Sequence, residues 1–224
     1  MPEFKLVARG KEATILLIPG WATDYRIFAD LDLGFNYLLP LKFSPFDFEK
    51  GLQKAMEEYR LKKISMLGWS MGGFIASEFA SRHRDSVNEI IFVSVREKYD
   101  PAGIEDIKAY LRKNCRGFLY KFYESCFSES ERGRFEWFKK NLLKDYVDRI
   151  STGILFEGLD YLSGRQFDTG SLRGQKVKFI HGEEDRVAPI SEALKLKESL
   201  PQARFISLEK CGHIPFLNTD FSLG

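Results

Sequence analysis

Cysteine is scarce in this chain. Cys115, Cys126 and Cys211 are odd in number, widely spaced and without a C-x-x-C pair. They argue against a disulfide or zinc framework and for a reducing compartment. Charge of one sign is lacking too: 34 basic residues against 32 acidic give +2, too little for a generic nucleic-acid or membrane-surface binder. No uninterrupted apolar run approaches the roughly 18 residues that a spanning helix needs. The opening residues, from Met1 to Thr14, read as strand and turn rather than as a charged segment followed by an apolar one, so no secretory leader is expected. A cytoplasmic monomer, bound to neither nucleic acid nor membrane, is the expectation. Repeats and low-complexity tracts are missing as well. What remains is ordinary globular composition, 44% hydrophobic and 29% charged over 224 residues, enough for one domain with a sizeable insertion. Aromatics are plentiful: 20 Phe, 9 Tyr and 3 Trp.

Along the chain, Phe4 to Arg9 and Ala13 to Ile18 read as a hairpin around Gly10-Lys11, its second strand buried. A short strand, Phe35 to Leu39, is expected to close at Pro40. From Asp47 to Tyr59 the apolar residues Leu52, Ala55, Met56 and Tyr59 fall at helical spacing. A strand from Lys63 to Leu67 leads into a glycine-rich turn and an apolar helix from Phe74 to about Arg82. Asn88 to Val95 is a continuous apolar run of the kind found inside a parallel sheet. The rhythm then changes. From Ile104 to about Ser163 the pattern is helical, aromatic and charged, with breaks near Gly117, Ser128 to Ser130 and Gly153. Strand–helix alternation resumes at Lys176 to His181, Ile190 to Leu200 and Arg204 to Leu208. The sum is one α/β domain over residues 1–224, a mostly parallel sheet flanked by helices, with an inserted helical cap at about 101–168.

The sharpest signal is Gly68-Trp69-Ser70-Met71-Gly72, a G-x-S-x-G sequence after a buried strand and before a helix. Serine at the tip of so tight a turn is forced into a strained backbone conformation, and glycine two residues to each side removes the collisions. Serine is a poor nucleophile near neutral pH and needs an oriented base. Of three histidines, His83 sits at the polar end of a helix and reads as a surface residue. His181 ends a strand, where a structural role is expected. His213 lies in Cys211-Gly212-His213-Ile214-Pro215-Phe216, after the last strand, and is the candidate base. The acid should come from Glu183-Glu184-Asp185. Asp185 is favoured, because a short side chain on a loop anchored by Val187 and Pro189 can accept the histidine N–H; Glu183 and Glu184 read as solvated. An oxyanion needs preorganised donors. Met71 N–H begins the helix after the nucleophile, and Trp21 N–H lies in the Pro19-Gly20-Trp21-Ala22 loop.

Together the elbow, the P-G-W loop, the H-G-x-x-D acid loop and G-H-I-P-F resemble the α/β-hydrolase superfamily from Phe4 to Phe216. More narrowly, Leu17 to Trp21, Gly68 to Gly73 and His213 to Phe216 look like the pimeloyl-acyl-carrier-protein methyl ester esterases of biotin synthesis. That resemblance implies a serine carboxylesterase with neither cofactor nor metal, acting on a pimeloyl methyl ester carried by acyl carrier protein. It also implies an acyl-binding segment at Phe118-Leu119-Tyr120-Lys121-Phe122, with Trp21, and a cap end at Gly153 to Asp160. Phe135 and Phe138 are further aromatics expected to face Ser70. Two departures stand out. Pro19 replaces the histidine common before that glycine, and the sequence stops at Gly224, soon after His213, so a shortened or absent terminal helix is expected. Acyl carrier proteins are acidic, and from Ile107 to Tyr123 there is no Asp or Glu. Lys108, Arg112 and Arg116, spaced by four, with Lys113, are the expected docking face. A broader esterase, a thioesterase or a carbon–carbon bond hydrolase of the same fold is the alternative. A non-catalytic binding protein of this fold would ordinarily have lost a member of the triad.

Overall fold

A computed structural model describes residues 3–218 and 221–224. Its framework is a seven-stranded sheet. Strand β1 is Glu3–Val7, β2 Thr14–Ile18 and β3 Asn36–Lys42. Helix α1, Phe48–Glu58, precedes β4, Ile64–Trp69; α2, Met71–Arg82, precedes β5, Val87–Val93. Four helices follow: α3 Pro101–Ser125, α4 Arg132–Phe138, α5 Lys144–Arg149 and α6 Thr152–Leu162. Strand β6, Val177–Gly182, helix α7, Ile190–Ser199, and β7, Arg204–Leu208, complete the order. The strands lie in the sequence β1-β3-β2-β4-β5-β6-β7, parallel except for β1 against β3.

Burial explains the centre. Every residue of β2 and β4 is buried, as it must be when helices cover both faces of a parallel sheet. Strand β1, half exposed, is confined to an edge. It does not form a hairpin with β2. The Gly10-Lys11 turn is tied to the start of β3 instead: Arg9 N and Lys11 N both donate to Asn36 Oδ1, at 2.7 and 3.2 Å. That leaves both edges of β2 free for parallel partners, and β3 fills the gap. Nor does Pro40 end β3, which runs on to Lys42 beside a register irregularity at Glu3/Phe4. A residue without an N–H is tolerated where the ladder is already broken.

Between β5 and β6 the chain is helical. Helix α3 bends at Asn114 (φ −157°, ψ 81°), shortly before Gly117, and Asn114 Oδ1 accepts the Gly117 N–H at 2.9 Å. The two ends of this segment meet through short bridges, Tyr99 with Ser163 and Lys98 with Gln166. No helix among the described residues is long and apolar enough to cross a membrane.

At the β4–α2 turn, backbones press together. A Cβ on Gly68 would stand 2.4 Å from the Gly72 carbonyl oxygen, and one on Gly72 would stand 2.3 Å from that of Ile18. Backbone cannot yield there as a flexible side chain can. Gly72→Ala is therefore expected to cost about 3 kcal/mol or more by overpacking, lowering Tm by roughly 6–12 °C at this chain length. A thermal melt within about 2 °C of wild type would show that the turn relaxes freely.

Candidate active site

Ser70 occupies the tip of that turn with φ 54° and ψ −118°, a conformation non-glycine residues rarely adopt. Its N–H is held by the Val93 carbonyl at 2.9 Å, and its own carbonyl accepts from Gly73 N at 2.9 Å. The side chain is thereby fixed above the carboxyl ends of β4 and β5. His213 Nε2 lies 3.0 Å from Ser70 Oγ, and His213 Nδ1 lies 2.7 Å from Asp185 Oδ2. A carboxylate only accepts, so Nδ1 carries the proton and Nε2 is free to take the serine O–H. All three residues are buried. Though far apart in the sequence, they close into one relay because β4, β6 and β7 end on the same edge of the sheet.

Asp185 is the best-supplied of the three. Its Oδ1 accepts from Val187 N and Ala188 N, both at 2.8 Å. His181 Nε2, which donates to the Ala188 carbonyl at 2.7 Å, lies 3.3 Å from Asp185 Oδ2. Burial alone would raise the carboxyl. The charge of His213 and the hydrogen bonds from His181 and His213 outweigh it and hold Asp185 well below the usual carboxylate range. Glu183 and Glu184 are exposed, as expected. His83 is not simply solvated: it stacks on Phe79 at 4.6 Å and pairs with Glu49 at 2.7 Å.

The Pro19–Ala22 loop runs against the nucleophile; a Cβ on Gly20 would lie 3.2 Å from Ser70 Cβ. Met71 N stands at the first turn of α2, where helix N–H groups lack intrahelical partners. Trp21 is pinned, its Nε1–H donating to the Leu155 carbonyl at 2.9 Å. Tyr123 Oη donates to the Ala22 carbonyl beside it. Tyr99 was flagged by no motif. It packs on Phe74 at 6.0 Å, and burial pushes its phenol up.

A cleft of about 490 Å³ opens beside Gly20, Trp21 and Met71, within the size range of small-molecule sites. Its far walls are Phe43 and Pro40 on one side and Ile150, Ile154 and Gly158 on the other. The expected acyl segment fits this only in part. Phe118 and Phe122 pack edge-on to the Trp21 ring at 6.5 and 5.0 Å. Leu119 is core, and Tyr120 and Lys121 face outward, because successive helical positions cannot share one face. Phe135 and Phe138 pack on Phe127 and hold the inserted helices together. The α6 wall lay within the Gly153 to Asp160 stretch, whose apolar spacing was the available signal. No group of histidine, cysteine and acidic residues suited to a metal occurs among the described residues.

The expected basic face is also altered. Lys108 is buried between Glu105 and Asp160, 2.6 Å from each. Asp160 comes from a different helix, which a scan of α3 alone does not reveal. Arg112 lies over the Phe156 ring at 5.0 Å, and Arg116, past the bend at Asn114, pairs with Asp148. Arg112, Lys113 and Arg116 all remain exposed.

A family model described as alpha/beta hydrolase fold matches residues 39–220. A pimeloyl-[acyl-carrier protein] methyl ester esterase of Nitrosomonas europaea is 29% identical over 174 residues, 70% of this chain and 66% of that protein. The chain thus spans just under two thirds of that relative's length. A 2-hydroxymuconate semialdehyde hydrolase of Pseudomonas putida is 24% identical over 84% of this chain and 70% of its own. Among solved structures, a bromoperoxidase from Bacillus anthracis superposes with a TM-score of 0.82 at 18% identity, covering 94% of this chain and 88% of that one, a likeness of fold.

Asp185 also makes stability depend on pH with a definite sign. Its depressed folded value means that its contribution is complete above about pH 5 and is lost progressively below about pH 4. Wild-type Tm is expected to fall more steeply over this window than that of Asp185→Asn. Parallel slopes in paired calorimetric scans would deny the carboxylate this role.

Proposed function

This chain belongs to the α/β-hydrolase family, and from that footing we propose that it is a serine carboxylesterase acting on the methyl ester of a pimeloyl chain carried by acyl carrier protein. The observation that carries the reaction class is the Ser70–His213–Asp185 relay at 3.0 and 2.7 Å. Ser70 Oγ attacks the ester carbonyl carbon as its proton passes to His213 Nε2. The oxyanion accepts from the Met71 and Trp21 N–H groups, a contribution of about 3–4 kcal/mol per donor when one is removed. The bond to the methoxy oxygen breaks, and His213 returns its proton to give methanol. Water then attacks the acyl-serine, His213 takes its proton, and Ser70 departs reprotonated. Asp185 keeps the imidazole in the required tautomer and stabilises the imidazolium.

Residues 101–168 act in this reading as a cap over the nucleophile. The apolar walls at Phe43, Ile150 and Ile154 suit a methylene chain, and the substrate named for the Nitrosomonas relative supports pimeloyl. A broader esterase, a thioesterase or a carbon–carbon bond hydrolase using the same relay is the second reading, and the Pseudomonas match, by name a hydrolase of a semialdehyde, supports a substrate other than a methyl ester.

Turnover of a p-nitrophenyl ester, and rescue of a biotin-requiring strain lacking its own esterase, test class and substrate in turn. Ser70→Ala, His213→Ala and Asp185→Asn should each lose roughly 10³-fold or more in kcat, with little added loss on combination. Full activity in the Ser70 variant would end the proposal; failure of rescue alone would move the substrate elsewhere. For the carrier, Arg112→Glu with Lys113→Glu should lower kcat/KM on the carrier-bound ester about tenfold, worth about 1.4 kcal/mol, and leave a small free ester unaffected. Added salt should erase the difference. Equal losses on both substrates would mean damage to α3 instead.

A further inference from the structure

The relay accounts for Ser70, His213 and Asp185 but not for Glu131, an acid buried among the inserted helices. Glu131 ends a single turn of 3-10 helix, Glu129–Glu131, between α3 and α4. Its Oε2 accepts from Ser128 N and from Gly212 N, both at 2.8 Å. Oε1 accepts from Asn218 Nδ2 at 3.3 Å and stands 3.5 Å from Cys211 Sγ. The first bond belongs to a local capping box. The others reach far along the chain, to the loop that presents His213.

The neighbouring contacts repeat this pattern. His213 N donates to the Cys126 carbonyl at 2.7 Å, and Ser128 Oγ donates to the Lys210 carbonyl at 2.8 Å. The segment 126–131 therefore grips 210–213 at three backbone points. Gly212 sits so close that a Cβ there would stand 2.5 Å from the Cys126 oxygen and 3.0 Å from Glu131 Oε2. The residue is buried. Without Glu131 its N–H would be left unpaired, and the peptide would move to find another acceptor. That peptide immediately precedes His213. A shift of about 1 Å at a catalytic group can cost on the order of 100-fold in rate.

We propose that Glu131 is a positioning residue: its carboxylate fixes the Gly212 peptide and so sets the His213 ring between Asp185 and Ser70, tying the inserted helices to the relay. The proposal rests on the serine-hydrolase reading. Its test separates the two.

Wild type, Glu131→Ala and Glu131→Gln are compared on a p-nitrophenyl ester, with circular dichroism and thermal melts as folding controls. Glu131→Ala should lower kcat about tenfold or more while KM changes less than about threefold, since the acyl cleft is untouched. Glutamine retains an oxygen for the two N–H groups and should restore most of kcat. The far-downfield NMR resonance of the proton between His213 Nδ1 and Asp185 should shift or broaden in the alanine variant and persist in the glutamine one. Should alanine prevent folding, Glu131→Asp, whose carboxylate draws back from Gly212, carries the same comparison. A folded variant with lower Tm but unchanged kcat and resonance would make Glu131 merely structural and overturn the proposal. Equal defects in the glutamine and alanine variants would overturn it too. If wild type hydrolyses no ester, the hydrolase reading fails, and the resonance alone still decides whether Glu131 holds His213.

Discussion

The fixed point of the structure is the backbone of Ser70. A left-handed φ of 54° on a non-glycine residue costs on the order of 1–3 kcal/mol, and it persists only where the surroundings over-determine it. Here β4 and β5 supply that determination. The Ser70 N–H is bonded to Val93 at 2.9 Å, and α2 is driven so close to β2 that only glycine fits at 72. An all-buried parallel centre is thus a requirement of the site as well as a source of stability. A loose sheet would let the turn relax and the serine drop out of line with His213.

Around that point the inserted helices do more than cover. They hold the oxyanion loop through Trp21 and Ala22 and the base loop through Cys126, Ser128 and Glu131. Nearly all these bonds involve backbone groups, so they constrain loop position rather than side-chain identity. The result is a nucleophile and base both under a tenth exposed. In such a water-poor setting, dipoles aimed at a developing charge act more strongly than in solution. The cleft beside Gly20 and Met71 opens next to the N–H groups proposed to receive the oxyanion.

What could be read from the sequence was whatever local chemistry dictates. Glycines flanking Ser70, the loop around His213 and the apolar runs of β2, β4 and β5 announce themselves within a short window, because sterics and burial act at short range. Pairing across the chain does not. The supposed hairpin failed because Asn36, well beyond β2 in the sequence, captures the Gly10 turn. Lys108 reads as free until α6 brings Asp160 beside it. Phe118 and Phe122 reach Trp21 while Leu119 cannot, a distinction of helical phase that appears only once α3 is placed. Glu131 carries no motif at all. Its meaning lies in the distant loop around Gly212.

The acid loop shows how length of side chain settles a role among three adjacent carboxylates. Asp185 Oδ1 folds back onto the Val187 and Ala188 N–H groups, both at 2.8 Å, a turn that needs the short arm of aspartate. That bond leaves Oδ2 aimed at His213. Glu183 and Glu184, one methylene longer and pointing to solvent, would gain no such turn. The second imidazole completes the arrangement. His181 spends its Nε2–H mainly on the Ala188 carbonyl, so Ala188 is held at both ends, its N–H by Asp185 and its carbonyl by His181. Its Nδ1 is left buried and without a partner among the described residues. The polar atom left unsatisfied is the cost of placing a second N–H near an acid whose charge must survive burial.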